Sequence, residues 1–163
     1  LGENTRMVRL RLSTFVAAPV EDVYGRVTYY GPDGPTDDDA FTEHYGEVKE
    51  RTGDVILVTE DAKRYDDDPP DLISWRCTFV YPESRTMEAV DSTWADRRDD
   101  FAREADGTRW DVEWNVPTSW LRGLLQKFGF RVWAHKRMRQ KMLDPVKDFF
   151  EGGGDGGSPE DAE

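Results

Sequence analysis

The chain has 163 residues, of which 37% are hydrophobic and 12% aromatic, and its formal net charge is −12. That length fits one domain with a real core, and no stretch approaches the roughly 18 to 20 apolar residues of a membrane span. The negative balance argues against nucleic-acid binding, because phosphate contacts need a basic surface.

A single cysteine, Cys77, excludes an internal disulfide framework and leads to the expectation of a reducing, cytoplasmic setting. The first residues hold no apolar signal core. Either Leu1 or Met7 is the native start, and residues 1–6 are expected to be an extension. The charge is uneven: between Trp120 and Phe150 eight basic side chains stand against two acidic ones, so the rest of the chain is still more acidic than the total. A basic helix can seek anionic lipid. It can equally rest on an acidic sheet with its outer face in water.

In chain order, Met7 to Val16 alternates Val8, Leu10 and Leu12 with Arg9, Arg11 and Ser13, the pattern of a strand with one buried face. Pro19 suits the first helical position. Val20, Val23, Tyr24 and Val27 follow at i, i+3, i+4, i+7, one face of a short helix. Tyr30 to Pro35 reads as a loop. Thr36 to Asp39 is open: Thr36 caps a second short helix that ends at Gly46, or the next strand begins near Phe41. Glu47 to Arg51 and Val55 to Glu60 form a hairpin about Thr52-Gly53-Asp54. Leu72 to Tyr81 is a strand with Ile73, Trp75, Cys77, Phe79 and Tyr81 on one face. Arg85 to Trp94 and Arg98 to Ala105 are further strands. Asp106-Gly107 marks a tight hairpin, after which Thr108 to Val116 puts Trp110, Val112, Trp114 and Val116 on one face. From Ser119 to Phe150 a long amphipathic helix carries Leu121, Leu125, Phe128, Val132, His135, Met142, Val146 and Phe149 near one stripe, and Asp144-Pro145 is expected to kink its end. Residues 151–163 are Gly-rich and acidic, a disordered tail by composition.

Two segments carry a resemblance. VRLRLSTFVAAPVEDVYGRV (Val8 to Val27) looks like a strand, a small-residue-Pro step and an amphipathic first helix, and GTRWDVEWNVPTSWLRGLL (Gly107 to Leu125) looks like a closing strand that runs into a C-terminal helix. Together they resemble the SRPBCC superfamily, also called START-like or Bet v 1-like, over about residues 7–150. The resemblance implies an α+β helix-grip fold, a curved antiparallel β-sheet wrapped around a long C-terminal α-helix. It also implies an apolar cavity between the two. Members include lipid carriers, hormone receptors, polyketide aromatase/cyclases and oxygenase subunits. The Pro- and Asp-rich stretch from Gly31 to Ala40 departs from the family's usual second short helix. The Cys and His pairs that an oxygenase's iron centres need are missing, which removes that branch.

The expected ligand walls are Trp75, Cys77, Phe79, Trp110, Trp114, Phe128, Val132, His135 and Met142, since such pockets are mostly apolar with a few polar anchors. The same side chains would serve equally to fill a solid core. His135 lies on the helix stripe, where an imidazole orients a polar group or moves a proton, or is satisfied by a neighbouring carbonyl. Arg76, Tyr24 and Tyr81 are further candidates to orient a polar end. Cys77 reads as a small buried hydrophobe, because no neighbour in sequence supplies a base. His44 with Glu43 and Asp37 to Asp39 lacks any diagnostic metal spacing. No metal and no cofactor is expected: there is no phosphate-binding glycine loop, and the Gly152 to Gly157 run follows no strand. No nucleophile elbow is present.

The leading expectation is non-catalytic binding of a hydrophobic small molecule or lipid, without nucleic-acid partners or integral membrane association. A polyketide cyclase/dehydrase-like enzyme using His135 with a cavity acid or tyrosine is the second. A protein-interaction module of co-chaperone type, with a filled core and an exposed apolar patch, is the third.

Overall fold

The computed structural model describes residues 7–63, 66–90, 96–117 and 135–152. The expected extension 1–6, the end of the strand expected to reach Trp94, the first half of the expected long helix with Phe128 and Val132, and residues 153–163 of the expected tail 151–163 lie outside the described residues, while Glu151 is still helical.

Strand β1 (Met7–Val16) leads into helix α1 (Val20–Thr28), and a two-residue hairpin of β2 (Tyr30–Gly31) and β3 (Gly34–Pro35) connects it to helix α2 (Asp38–Tyr45). Six strands follow: β4 (Glu47–Thr52), β5 (Val55–Asp61), β6 (Leu72–Val80), β7 (Ser84–Ala89), β8 (Asp96–Glu104) and β9 (Gly107–Pro117). Seven strands make one antiparallel sheet in the order β1-β9-β8-β7-β6-β5-β4. The first and last strands in sequence therefore pair, Leu12 opposite Val112 and Thr14 opposite Trp110. The C-terminal helix α3 covers residues 135–151; its segment Arg139–Leu143 is π-helical and Asp144–Glu151 is α-helical.

Local chemistry explains the helices. Val20, Val23, Tyr24 and Val27 are all buried, the i, i+3, i+4, i+7 face read from sequence. Pro19 stands one place earlier than expected, as the residue before the helix, with φ −57° and ψ 146°. The open choice at Thr36 to Asp39 resolves as a helix. Asp37, rather than Thr36, caps it, its carboxylate accepting the Ala40 N–H at 3.0 Å, and Asp38 and Asp39 occupy the favourable first turn. The Pro- and Asp-rich stretch from Gly31 to Ala40 thus leads into a second short helix after all. Gly46 ends it at φ 97°, where a Cβ would strike the Thr59 carbonyl, so glycine is required both for the angle and for the approach to β5.

The expected kink at Pro145 takes the form of the π-helical turn that precedes it. A proline ring collides with the carbonyl four residues earlier in an α-helix, here that of Lys141, and a wider turn relieves the collision.

Inward residues alternate along every central strand. Ile56 and Val58 on β5, Ile73, Trp75, Cys77 and Phe79 on β6, Phe101 on β8, and Trp110 and Val112 on β9 are buried. Edge strand β4 is exposed throughout and bulged near Lys49, which blunts it against pairing with another chain.

Candidate functional site

The concave face is not uniformly apolar. On β7 the inward position opposite Phe79 is Arg85, and on β8 the inward position opposite Arg85 is Asp99. Both side chains are fully buried, and they form an ion pair at 2.6 Å. Arg97, the next inward residue on β8, donates to the same carboxylate at 2.8 and 3.0 Å, and Trp110 Nε1 donates to it at 3.0 Å. Arg85 Nη1 donates to the Tyr45 hydroxyl at 2.6 Å, and that hydroxyl donates in turn to the Thr28 carbonyl at 2.7 Å. One carboxylate thus anchors two guanidiniums and an indole, and ties β7, β8 and β9 to α1 and α2.

The electrostatics follow from that count. Burial pushes the Asp99 pKa up, but Arg85 and Arg97 outweigh it and hold it down at about 2. Burial works against the Arg85 charge as well, yet Asp99 and Tyr45 more than compensate and raise its pKa. For Arg97, burial prevails, aided by repulsion from Arg85, and its pKa falls below the ordinary value despite Asp99. Two positive charges against one negative leave a surplus cation inside the grip, and Arg97 is where it reaches solvent, with 20% of its side chain exposed.

A cleft of about 270 Å³ opens there, lined by residues of α1, the α1–β2 junction, α2, β8, β9 and α3. Trp110, Val27, Met142 and Val146 give it apolar walls. Arg97, Arg26, Lys141 and His44 give it basic groups, and no acidic side chain among the described residues lines it. Tyr29 completes the rim; it closes α1 in the left-handed region at φ 55°. Its ring packs on His44 with centroids 4.6 Å apart, and His44 meets the Tyr45 ring edge-on. Burial of one side of the imidazole, with Arg85 and Arg97 beyond it, lowers the His44 pKa to about 4. The residue is otherwise exposed, so water screens part of that effect.

The expected ligand walls separate into groups. Trp110 and Met142 line the cleft. Trp114 neighbours it, two residues along β9 from the buried Val112; the Arg97 guanidinium lies 5.7 Å from its ring centroid, and its buried Nε1 has no hydrogen-bond partner among the described residues. Trp75, Cys77 and Phe79 are buried in the core cluster and are not among the described residues that line this cleft. Phe79 stacks on Tyr30 at 4.1 Å and is surrounded by Phe41 and Tyr45. Trp75 Nε1 donates to Glu60 at 2.8 Å. Cys77 is fully buried, and burial raises its thiol pKa to about 12, so it stays a thiol. His135 is half-buried at the first described residue of α3 and does not line the cleft. Phe128 and Val132 lie outside the described residues.

The polar candidates also move. Tyr24 is buried, its hydroxyl donating to the Ser84 carbonyl, with Tyr81 packed edge-on against it. Arg76 is exposed on β6, near Glu88 on the outer face. Sequence reading missed Arg85, Arg97, Asp99, Arg26, Lys141 and the place of His44 in the cleft. A signal for three of them existed. β7 and β8 carry Arg85, Arg97 and Asp99 at the inward parity of strands that pair with aromatic ones.

No protein-family model matches the chain, and no curated protein matches it. Solved structures do. The di-domain ARO/CYC BexL from the BE-7585A biosynthetic pathway superposes with a TM-score of 0.56 at 17% identity, over 89% of this chain and 50% of that one. The Aha1 dimer from Colwellia psychrerythraea gives 0.51 at 15% identity, over 91% and 100%. Ara h 8.0201 gives 0.51 at 11%, over 90% and 99%. This chain spans about half the length of the di-domain cyclase structures it resembles. At these identities the likeness is one of fold, and it agrees with the strand order, the early helix pair and the C-terminal helix described above. The chain has a helix-grip fold, a seven-stranded antiparallel sheet with a C-terminal helix, as those solved structures do.

Proposed function

We propose that the domain, taken as residues 7–150, binds a hydrophobic small molecule or lipid between its sheet and its C-terminal helix, without transforming it. The cleft carries this reading: Trp110 on the sheet side faces Met142 and Val146 on α3 across about 270 Å³ of open space. Ligand pockets are concave, largely apolar and set with a few polar groups, and this one joins an indole and two aliphatic walls to a charged rim. Its volume lies just below the usual range of about 300–1,000 Å³, which suits a body of one or two fused rings or the end of a longer chain.

Native mass spectrometry of the purified protein, followed by organic extraction, tests the reading. A discrete added mass removed by extraction is the expected result. An apoprotein mass, together with no thermal shift from a panel of lipids and polyketide-like aromatics, would overturn it and favour an interaction module.

A second reading, a polyketide cyclase/dehydrase-like enzyme, has one observation in its favour. His44 and Tyr29 form a polar pair on the cleft rim, and such a pair is what proton transfer requires. Incubation with short β-polyketone mimics separates the two readings. Loss of one water from the mimic, abolished in His44→Gln, supports the enzyme; recovery of the intact mimic supports the binding protein.

A further inference from the structure

The cleft has a charge problem that an apolar ligand leaves unsolved. Two guanidiniums, Arg85 and Arg97, share the single carboxylate of Asp99, whose two oxygens already receive Arg85 Nε and Nη2, Arg97 Nε and Nη2, and Trp110 Nε1. The other polar partners of Arg85 are the neutral Tyr45 hydroxyl and the Val27 carbonyl. Among the described residues one positive charge is therefore uncompensated in a largely desolvated place, where charges are ordinarily paired.

The rim adds to this surplus. Lys141 lines the cleft from α3 and forms no ion pair among the described residues. Arg26 lines it from α1, its guanidinium resting 4.1 Å from the centroid of the Phe149 ring, which fixes the side chain while leaving its charge unneutralised. His44 and Tyr29 are the other titratable groups at the rim, and no Asp or Glu among the described residues lines the cleft. This gathering of cations stands out in a chain of net charge −12. In a low-dielectric recess, clustered charge of one sign concentrates counter-ions of the other.

We propose that the cleft selects an organic anion: a small, flat apolar body against Trp110, Val27, Met142 and Val146, bearing one acidic group that meets Arg97 with Arg26 and Lys141. The inference rests on the binding reading above and narrows it from any hydrophobic molecule to acidic ones. Arg97 supplies the chief contact. Its planar fork suits a two-oxygen acid group, and a ligand there restores the one-to-one charge balance that Asp99 alone leaves incomplete. Lys141 and Arg26 reach in from two different helices, so the bound anion also bridges α1 and α3.

The test uses two probes with one skeleton, 1-anilinonaphthalene-8-sulfonate and its uncharged parent N-phenyl-1-naphthylamine. Binding to the full chain is followed by fluorescence titration, with stoichiometry from calorimetry. The expected result is a single site that binds the sulfonate at least about tenfold more tightly than the neutral probe, an advantage that shrinks as salt rises. The double variant Arg26→Gln/Lys141→Gln should lose most of that advantage. Arg76→Gln, on the outer face of the sheet, should change neither. Arg97 is left in place because it also braces Asp99. Equal affinity for both probes, or a sulfonate preference that survives the double variant, would overturn the anion proposal and leave the binding reading standing. Failure of both probes to bind would overturn the two together.

Discussion

The two ends of the concave face begin from the same strand alternation and finish differently. Beneath α2, the inward residues of β6 meet Tyr30, Phe41 and Tyr45, and the space closes into stacked and edge-on rings. Beneath α3, the inward residues of β8 and β9 are Arg97, Asp99, Trp110 and Trp114, and the space stays partly open. Rings fill space from any side and gain about 0.5–1.5 kcal/mol per well-placed pair beyond burial. A guanidinium–carboxylate lattice has fixed directions, so it spans a gap without filling it. Residue type at the inward parity, rather than topology, therefore decides where a helix-grip domain is solid and where it is hollow.

The largest expected effect is at the polar end. Asp99→Ala leaves Arg85 and Arg97 buried without their counter-ion, and a loss of about 3–5 kcal/mol is expected in denaturant unfolding; a loss below about 1 kcal/mol would show that water already screens the network. Phe79→Ala empties the aromatic end at a cost of similar size, about 3–5 kcal/mol. The sulfonate probe should still bind to the folded fraction of that variant, so equal damage to binding would erase the distinction between the two ends. Tyr45→Phe sits at their junction. It removes one acceptor for Arg85 and one donor to Thr28, and about 1–3 kcal/mol should be lost.

Acid separates the ends more gently. The Asp99 pKa is held at about 2 in the fold against an ordinary 3.8, so its contribution is complete above about pH 4 and disappears as pH falls toward 2. For His44 the folded pKa of about 4 lies below the ordinary 6.5. The unfolded chain then binds the extra proton between those values, so stability is full above about pH 6.5 and declines as pH falls toward 4. The exposed edge of the ring makes this the smallest effect of the set. Melting temperatures recorded from pH 7.5 to 4.5 should fall less steeply in His44→Gln than in the parent chain; parallel slopes would mean that His44 titrates as it does in water.

Much of the scaffold was legible because it depends on period. The strand from Met7 to Val16, the buried face of α1 and the strand from Gly107 all follow from alternation or 3.6-residue spacing. The second helix was harder, since its cap is an aspartate within an acidic run that reads equally as a loop. The hollow was least legible. Trp75 and Trp110 look alike in sequence, both alternating with polar residues; only the fold shows that one gives its indole N–H to the part-buried Glu60 and the other to the fully buried carboxylate of Asp99. Arg97 and Asp99 lie in the run DRRDDFARE, where charge of both signs hides which residues turn inward until Phe101 fixes the parity. Arg26 and Lys141 belong to helices far apart in sequence, and no local pattern links them.

The π-helical turn at Arg139–Leu143 has a bearing on how α3 presents its side chains. Such a turn holds about one residue more than an α-turn, which advances the phase of everything after it relative to everything before. His135 and Val146 therefore do not continue a single α-helical stripe, although an uninterrupted 3.6-residue count assigns them to one. The helix works instead as two offset blades, and the segment that starts at Asp144 is aimed by the extra residue. Length within this turn is thus a steering variable. Deleting one residue there would swing Val146 and Phe149 by roughly a quarter-turn about the axis and exchange the surface that meets the cleft without altering a single side chain beyond it.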